Sequence, residues 1–347
     1  MRPPGAGRTA AVTAVLLVLL AAVAAAGVSV GTVPIPLGDT AHFLWAELAG
    51  GTVAAQDATL YRIVVDSRVP RVVSAALVGA ALSVVGVAVQ AMVRNALADP
   101  YVLGISSGAS VGATGVVLFG VLGALGVYAL PVAAFLGALG ATALVYAIAQ
   151  SAGRLSPLRL VLTGTALGYG FSAVTTVLVF LAPRGDAARS VMFWLLGSLS
   201  AATWHTTALV AAAAVVAVAA APLLATRLNA LALGDEAATS MGVNVHRLRV
   251  GMFVLTAAVT GIVVSVCGAI GFVGLVVPHV ARLLVGGDHR RVLVVAPALG
   301  AVFLVAADIA ARTLVPPQEL PIGAVTAMVG VPLFVMLLRR RPLGGTS

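Results

Sequence analysis

The chain has 347 residues, of which 61% are hydrophobic and 9% charged, with a net charge of +9 and a mean hydropathy of +1.12. A soluble domain carries roughly a quarter charged residues, so this composition excludes a water-soluble globular protein and describes a chain dissolved in lipid. All 20 basic residues are Arg, which excludes an ordinary P-loop, whose Lys must reach the nucleotide phosphates; their sparse scatter between apolar runs is a topology signal and not a nucleic-acid footprint.

A helix that crosses about 30 Å of hydrocarbon needs about 20 mostly apolar residues. Polar punctuation then divides the chain into ten predicted spans, at residues 10–30, 69–92, 101–119, 126–150, 158–182, 204–225, 248–268, 271–285, 292–314 and 321–338, the third and eighth being short. The first competes with a signal peptide, because Arg2 and Arg8 precede an apolar run ending in small residues at Ala24 to Ala26. It is longer than the roughly 7 to 15 apolar residues of a secretory signal, which favours a retained span. The whole chain, 1–347, reads as a single all-α membrane domain with a short cytoplasmic N-terminus, 1–9.

An even span count puts both termini on one side. With the termini inside, 14 of the 20 arginines fall inside and six (Arg62, Arg68, Arg71, Arg184, Arg189 and Arg312) outside, along with most carboxylates. The positive-inside rule therefore gives N-in and C-in. Gly104, Gly108 and Gly112, then Gly164 and Gly168, recur at the small-xxx-small spacing that lets membrane helices approach closely. Two five-span halves can be drawn, with Pro100 ten residues after Gln90 and Pro278 ten after Gly268, and an odd number of spans per half implies inverted repeats. Cys267, alone in an apolar run, reads as a small buried hydrophobe.

Four stretches interrupt this background. Arg68-Val-Pro-Arg71 opens the second span on the outside. Arg94-Asn95-Ala96-Leu97-Ala98-Asp99-Pro100-Tyr101 joins spans two and three inside and runs into Gly104-Ile105-Ser106-Ser107-Gly108. The stretch 226–249 is too polar to span and lies inside; it holds Leu233-Gly234-Asp235-Glu236-Ala237, with the two acids in a first helical turn, where they complement the helix dipole, and Gly242 as a stop. The last stretch carries Gly271-Phe272-Val273-Gly274, Pro278-His279, Asp308, Arg312 and Glu319.

In their order and spacing these motifs resemble the FecCD-type permease family of ATP-driven importers for iron-siderophores, haem and cobalamin, from about residue 60 to the C-terminus. The resemblance implies a bundle of about ten membrane helices that works as a homodimer, contains no cofactor or metal, and catalyses no bond chemistry. ATP would be hydrolysed by two separate ATPase subunits, and cargo delivered by a periplasmic or lipid-anchored substrate-binding protein. It further implies that Leu233, Gly234, Asp235, Glu236, Ala237 and Gly242 belong to coupling helices, 226–249, that dock on the ATPase. Arg68, Arg71 and Arg312 would receive carboxylates from the binding protein, and Asn95, Leu97, Ser156, Pro157 and Leu158 would line the inner gate. Ala96 stands where the family usually has proline, which relaxes the backbone at that gate.

Plainer readings compete at several positions. Arg68 and Arg71 near a span end could simply snorkel, and Asp308 and Arg312 stand i, i+4 on one helix. His279 beside Pro278 fits a ring that satisfies a freed backbone group. Gly104-Ile105-Ser106-Ser107-Gly108 matches G-x-S-x-G, but a nucleophile elbow needs a strand before its helix, and here the motif opens a glycine-spaced membrane helix. An ion-coupled secondary transporter is the alternative; it would want mid-span carboxylates, and only Asp308 comes near. Ferric siderophore is the first expectation for cargo.

Overall fold

The computed structural model describes residues 5–31, 33–151, 154–182 and 185–340; Arg2, Arg184 and Arg341, which entered the orientation count, lie outside them. Lipid offers backbone amides no partner, so a membrane chain must satisfy them within helices. In chain order the helices are α1 (Ala6–Ser29), α2 (Leu37–Ala49), α3 (Ala58–Arg62), α4 (Val69–Met92), α5 (Ile105–Phe119), α6 (Ala129–Ala149), α7 (Pro157–Phe180), α8 (Gly185–Leu195), α9 (Trp204–Ala232), α10 (Asp235–Ser240), α11 (Val245–Cys267), α12 (Val273–Val285), α13 (His289–Thr313) and α14 (Ile322–Arg340). A two-residue antiparallel hairpin, Gln150–Ser151 with Arg154–Leu155, turns the chain between α6 and α7.

Seven of these helical runs are long and apolar enough to cross a membrane, and three shorter apolar helices, α5, α12 and α14, account for the other expected spans. Two features were not expected. Residues 55–68 join α4 in one continuous 38-residue helical run, through α3 and a π-helical turn at Ile63–Arg68. Two helices, α2 and α8, lie beyond the span ends.

α4 forms the axis of the bundle: 78% of its apolar window is buried, against 17% for α1 and for α7. It packs on α13, α9, α12 and α11. Contact with α13 depends on glycine at both sides of the crossing, because a Cβ on Gly79 would collide with the Gly300 carbonyl and one on Gly300 with Ser83. α5 is set against α6 in the same way, with Gly108 facing Gly137 and Gly112 facing Ala133.

Two connections dip to membrane depth. Gly274, at the start of α12, touches Gly86 and the Leu82 carbonyl, well inside α4, and Pro100 packs on the same glycine. The segment before α5 and the break between α11 and α12 therefore meet within the bundle. Each precedes a half-length helix, α5 in the first half and α12 in the second. Tyr101 joins the two segments: its hydroxyl donates to the Ile270 carbonyl (3.0 Å) and accepts from the Ile270 N–H (2.9 Å). Irregular backbone is tolerated at such depth only when protein surrounds it or a cavity lies alongside, and a cavity does.

Candidate transport path and docking elements

The cavity is a groove of about 520 Å³ on the face that carries α7, open sideways. Ser106, Ser107 and Ser110 of α5 line one wall, and Gly164, Thr165, Gly168, Tyr169 and Ser172 of α7 the other; Asp99, Tyr101 and Phe272 close the end. Two of these hydroxyls serve their own helix: Ser107 donates to the Gly104 carbonyl at 3.0 Å and Ser110 to that of Ser106 at 2.8 Å. The groove thus offers oxygen atoms and small side chains without a fixed charge along its walls. Of its lining, the sequence reading singled out Asp99, Tyr101, Ser106, Ser107, Gly271 and Phe272 only as parts of motifs, and Gly164 and Gly168 only for their spacing, and missed Ser110, Thr165, Tyr169 and Ser172. The available signal was the spacing of Gly164, Gly168 and Ser172, four residues apart on one helical face.

The element at 226–249 is shorter as an independent helix than its polar composition suggested. α9 continues to Ala232 and α11 begins at Val245, leaving only α10 between them. Gly242, with φ of +81°, ends α10: its N–H bonds the Thr239 carbonyl, and Val243 returns to that of Ala238. Glu236 and Leu233 are exposed, whereas Asp235 is half-buried. Both Asp235 oxygens accept from Arg249 of α11, each at 2.8 Å, in a two-pronged pair. Arg94, at the end of the α4 helix, reaches the same carboxylate at 3.8 Å. Asp235 therefore ties α10 to α11 and to the segment that leads into the groove, a link absent from the sequence reading. A cleft of about 290 Å³ beside it is lined by Leu155 of the hairpin, Thr239 and His246.

Of the residues expected at the inner gate, Asn95 and Leu97 lie on that same connection, whereas Ser156, Pro157 and Leu158 stand at the start of α7. The Asn95 side chain accepts from the Leu97 N–H at 2.9 Å, turning the chain, and both residues are exposed. Ser156 precedes α7, Pro157 occupies its first turn, where no amide donor is missed, and Leu158 is exposed. The residues that follow these two groups do meet: Gly164 of α7 packs on the Val102 carbonyl.

The three arginines expected to meet the binding protein, Arg68, Arg71 and Arg312, are brought together, but they are buried and occupied. Arg71 donates to Asp308 at 2.9 Å and pairs with Glu319 at 2.9 Å; Arg312 pairs with the other oxygen of Asp308 at 3.1 Å. Arg312 also donates to the carbonyls of Gly27 (3.0 Å) and Val30 (3.2 Å), and Arg68 to those of Val28 and Ser29 (both 2.8 Å) and Val33. Two of these carbonyls, Gly27 and Val28, belong to the last turn of α1, where no further turn follows to supply donors. The cluster thus clamps α1 to α4 and α13, with Asp308 at 0% exposure in its centre.

Compared with known proteins, residues 16–340 match the model of the FecCD transport family. An ABC transporter permease, YvrB of Bacillus subtilis, is 38% identical over 92% of this chain and 91% of its own length. The cobalamin import permease BtuC of Halobacterium salinarum is 43% identical over 80% of this chain and 74% of its own. The hemin transport permease HmuU of Yersinia pestis is 40% identical over 81% and 84%. Among solved structures, an inward-facing transporter assigned to the metal-chelate ABC type superposes with a TM-score of 0.82 at 29% identity, covering 95% of this chain and 99% of that one.

Proposed function

Since this chain belongs to the FecCD transport family, we propose that it is the membrane permease of an ATP-binding-cassette importer, N-in and C-in, whose cargo is a ferric siderophore, with haem and cobalamin as the next candidates. The observation that carries the reading is the sideways-open groove between α5 and α7. A path for one bulky cargo has to be closed on its open side, and the α7 face is available to a second copy: Tyr169 is 75% exposed and Phe180 87%. Hydroxyls and glycines on the walls would let a large, polar chelate slide without a fixed ligand to hold it.

In this mechanism two ATPase subunits bind the surface around α10, using exposed Leu233 and Glu236 beside the cleft at Thr239. Closure on ATP pushes α10, and the Asp235 pair carries the displacement to Arg94 and so to Asn95 and Leu97, which seal the inner end together with Ser156, Pro157 and Leu158. A loaded binding protein docks on the opposite face. Arg68, Arg71 and Arg312 serve that face; because all three already hold internal partners, their contribution is to brace it or to exchange those partners for the binding protein's carboxylates. Charge reversal at Arg68 and Arg71 together is expected to weaken association with the binding protein.

Uptake of radiolabelled ferric siderophore into proteoliposomes tests the reading. Accumulation should require ATP, the ATPase and the binding protein, and should ignore proton and sodium gradients; accumulation driven by an ion gradient alone would replace it with secondary transport. Substituting Gly234 and Glu236 is expected to leave ATP hydrolysis intact while uptake falls.

A further inference from the structure

A second cavity, away from the proposed cargo path, has the shape of a lipid site. It is a trough of about 790 Å³ between α1, α4, α9 and α13, and an adjoining hollow of about 580 Å³ lies along α1. Small residues make its floor, among them Ala76, Ala80 and Ala298, and Pro222 and Pro297 sit in its walls, inside α9 and α13. A proline inside a helix breaks one backbone hydrogen bond and bends the rod, so two facing prolines hold these helices apart above a floor without bulk.

The trough ends where a polar group begins. Arg290, exposed at the start of α13, lines both cavities, and its guanidinium donates to the Thr226 hydroxyl at 3.3 Å. Arg291 follows it, 3.9 Å from Asp288. Asp288 already caps this end of the 25-residue helix by accepting from the Arg290 N–H, so the positive charge an outside anion would meet is the exposed Arg290 guanidinium. From Arg290 to Ala301, the far end along α13, is about 16 Å at 1.5 Å per residue, which is half of the roughly 30 Å hydrocarbon core.

We propose that this trough binds an anionic phospholipid, its acyl chains lying over the alanine floor and its phosphate on Arg290. The single-leaflet length separates this occupant from a partner's transmembrane helix, which would continue past Ala301 through the other leaflet. The polar end separates it from ordinary annular lipid, which has no reason to prefer one headgroup.

Native mass spectrometry of the full-length purified protein, titrated with dioleoylphosphatidylglycerol or dioleoylphosphatidylcholine, tests the site. The first bound lipid should favour phosphatidylglycerol by about five-fold, the effect of about 1 kcal/mol per basic side chain near an anionic headgroup. Arg290→Ala should bring that preference to near unity, Arg290→Lys should keep part of it, and Ala298→Phe should reduce first-lipid occupancy for both headgroups by filling the floor. Should Ala298→Phe fail to fold, the two Arg290 variants decide. Equal retention of both lipids by the unsubstituted protein, a headgroup preference untouched by Arg290→Ala, full competition by inorganic phosphate, or a protein helix found seated in the trough would each overturn the proposal.

Discussion

Asp308 holds two guanidinia within the bundle, and removing one partner of a buried charge pair is costly because the other is left without compensation, typically by about 3 to 5 kcal/mol. Asp308→Asn should therefore lower the thermal unfolding temperature in detergent far more than Glu319→Gln, whose carboxylate is 30% exposed and shares only Arg71. Equal shifts would show that the cluster is not organised around Asp308. Asp288 is a milder case at the N-terminal end of α13. It caps that helix by accepting from the Arg290 N–H, and the Asn229 amide, the largest influence, together with the nearby arginines holds its pKa below the usual carboxylate value. A folded pKa below the unfolded one means that its contribution is complete above the unfolded value of about 3.9 and lost as pH falls through the lower folded value. Asp288→Ala should cost about 1 kcal/mol at neutral pH, as loss of a helix cap does, with the difference from the unsubstituted protein vanishing in strong acid. Of the cluster around Asp308, only the pair with Arg312 could be read from the chain, by its i, i+4 spacing; Arg71 and Asp308 stand 237 positions apart.

Among whole helices, glycine placement makes the sharpest prediction. Gly112→Leu should separate α5 from α6, collapse one wall of the groove and yield protein that aggregates on size exclusion, while Gly140→Ala, with nothing within 4 Å of an added Cβ, should be silent. The ten spans were legible because bilayer thickness sets a length and forbids charge, and both constraints act on local composition. The outward extension of α4 was not, since Asp57, Arg62, Asp66 and Arg68 look like loop punctuation unless one knows that the helix has already left the hydrocarbon. The groove was hidden for a different reason. A serine that bonds its own helix at i−4 looks the same in sequence whether it faces lipid, protein or a path, and only the neighbouring helix tells them apart.

For the molecule as a whole, the largest consequence is an unpartnered flank. Most of α7 is exposed, including Leu158, Leu162, Tyr169 and Phe180, and the groove between α5 and α7 opens sideways. Single cysteines at Leu162, Tyr169 or Phe180 should crosslink two copies in membranes under oxidation, against a quiet background because Cys267 is buried. A set of variants that stays monomeric at all three positions would rule out this face as the dimer interface. Family and span number came from motifs and hydropathy, but which flank remains uncovered depends on how the helices are arranged, and hydropathy is nearly uniform around α1, α6, α7 and α9.

The clamp on α1 also fixes an order of events. Its terminal carbonyls are held by Arg312, whose guanidinium reaches Val30 across 282 positions of chain. At about 5 to 20 residues per second, the ribosome needs about 15 to 60 s to make the arginine after it has made the helix. Arg68 can reach the end of α1 about 40 positions later, but the Arg312 half of the clamp is missing for the whole of that longer interval, which the mean hydropathy of 2.7 over the apolar window of α1 permits, and the clamp is complete only near the end of synthesis.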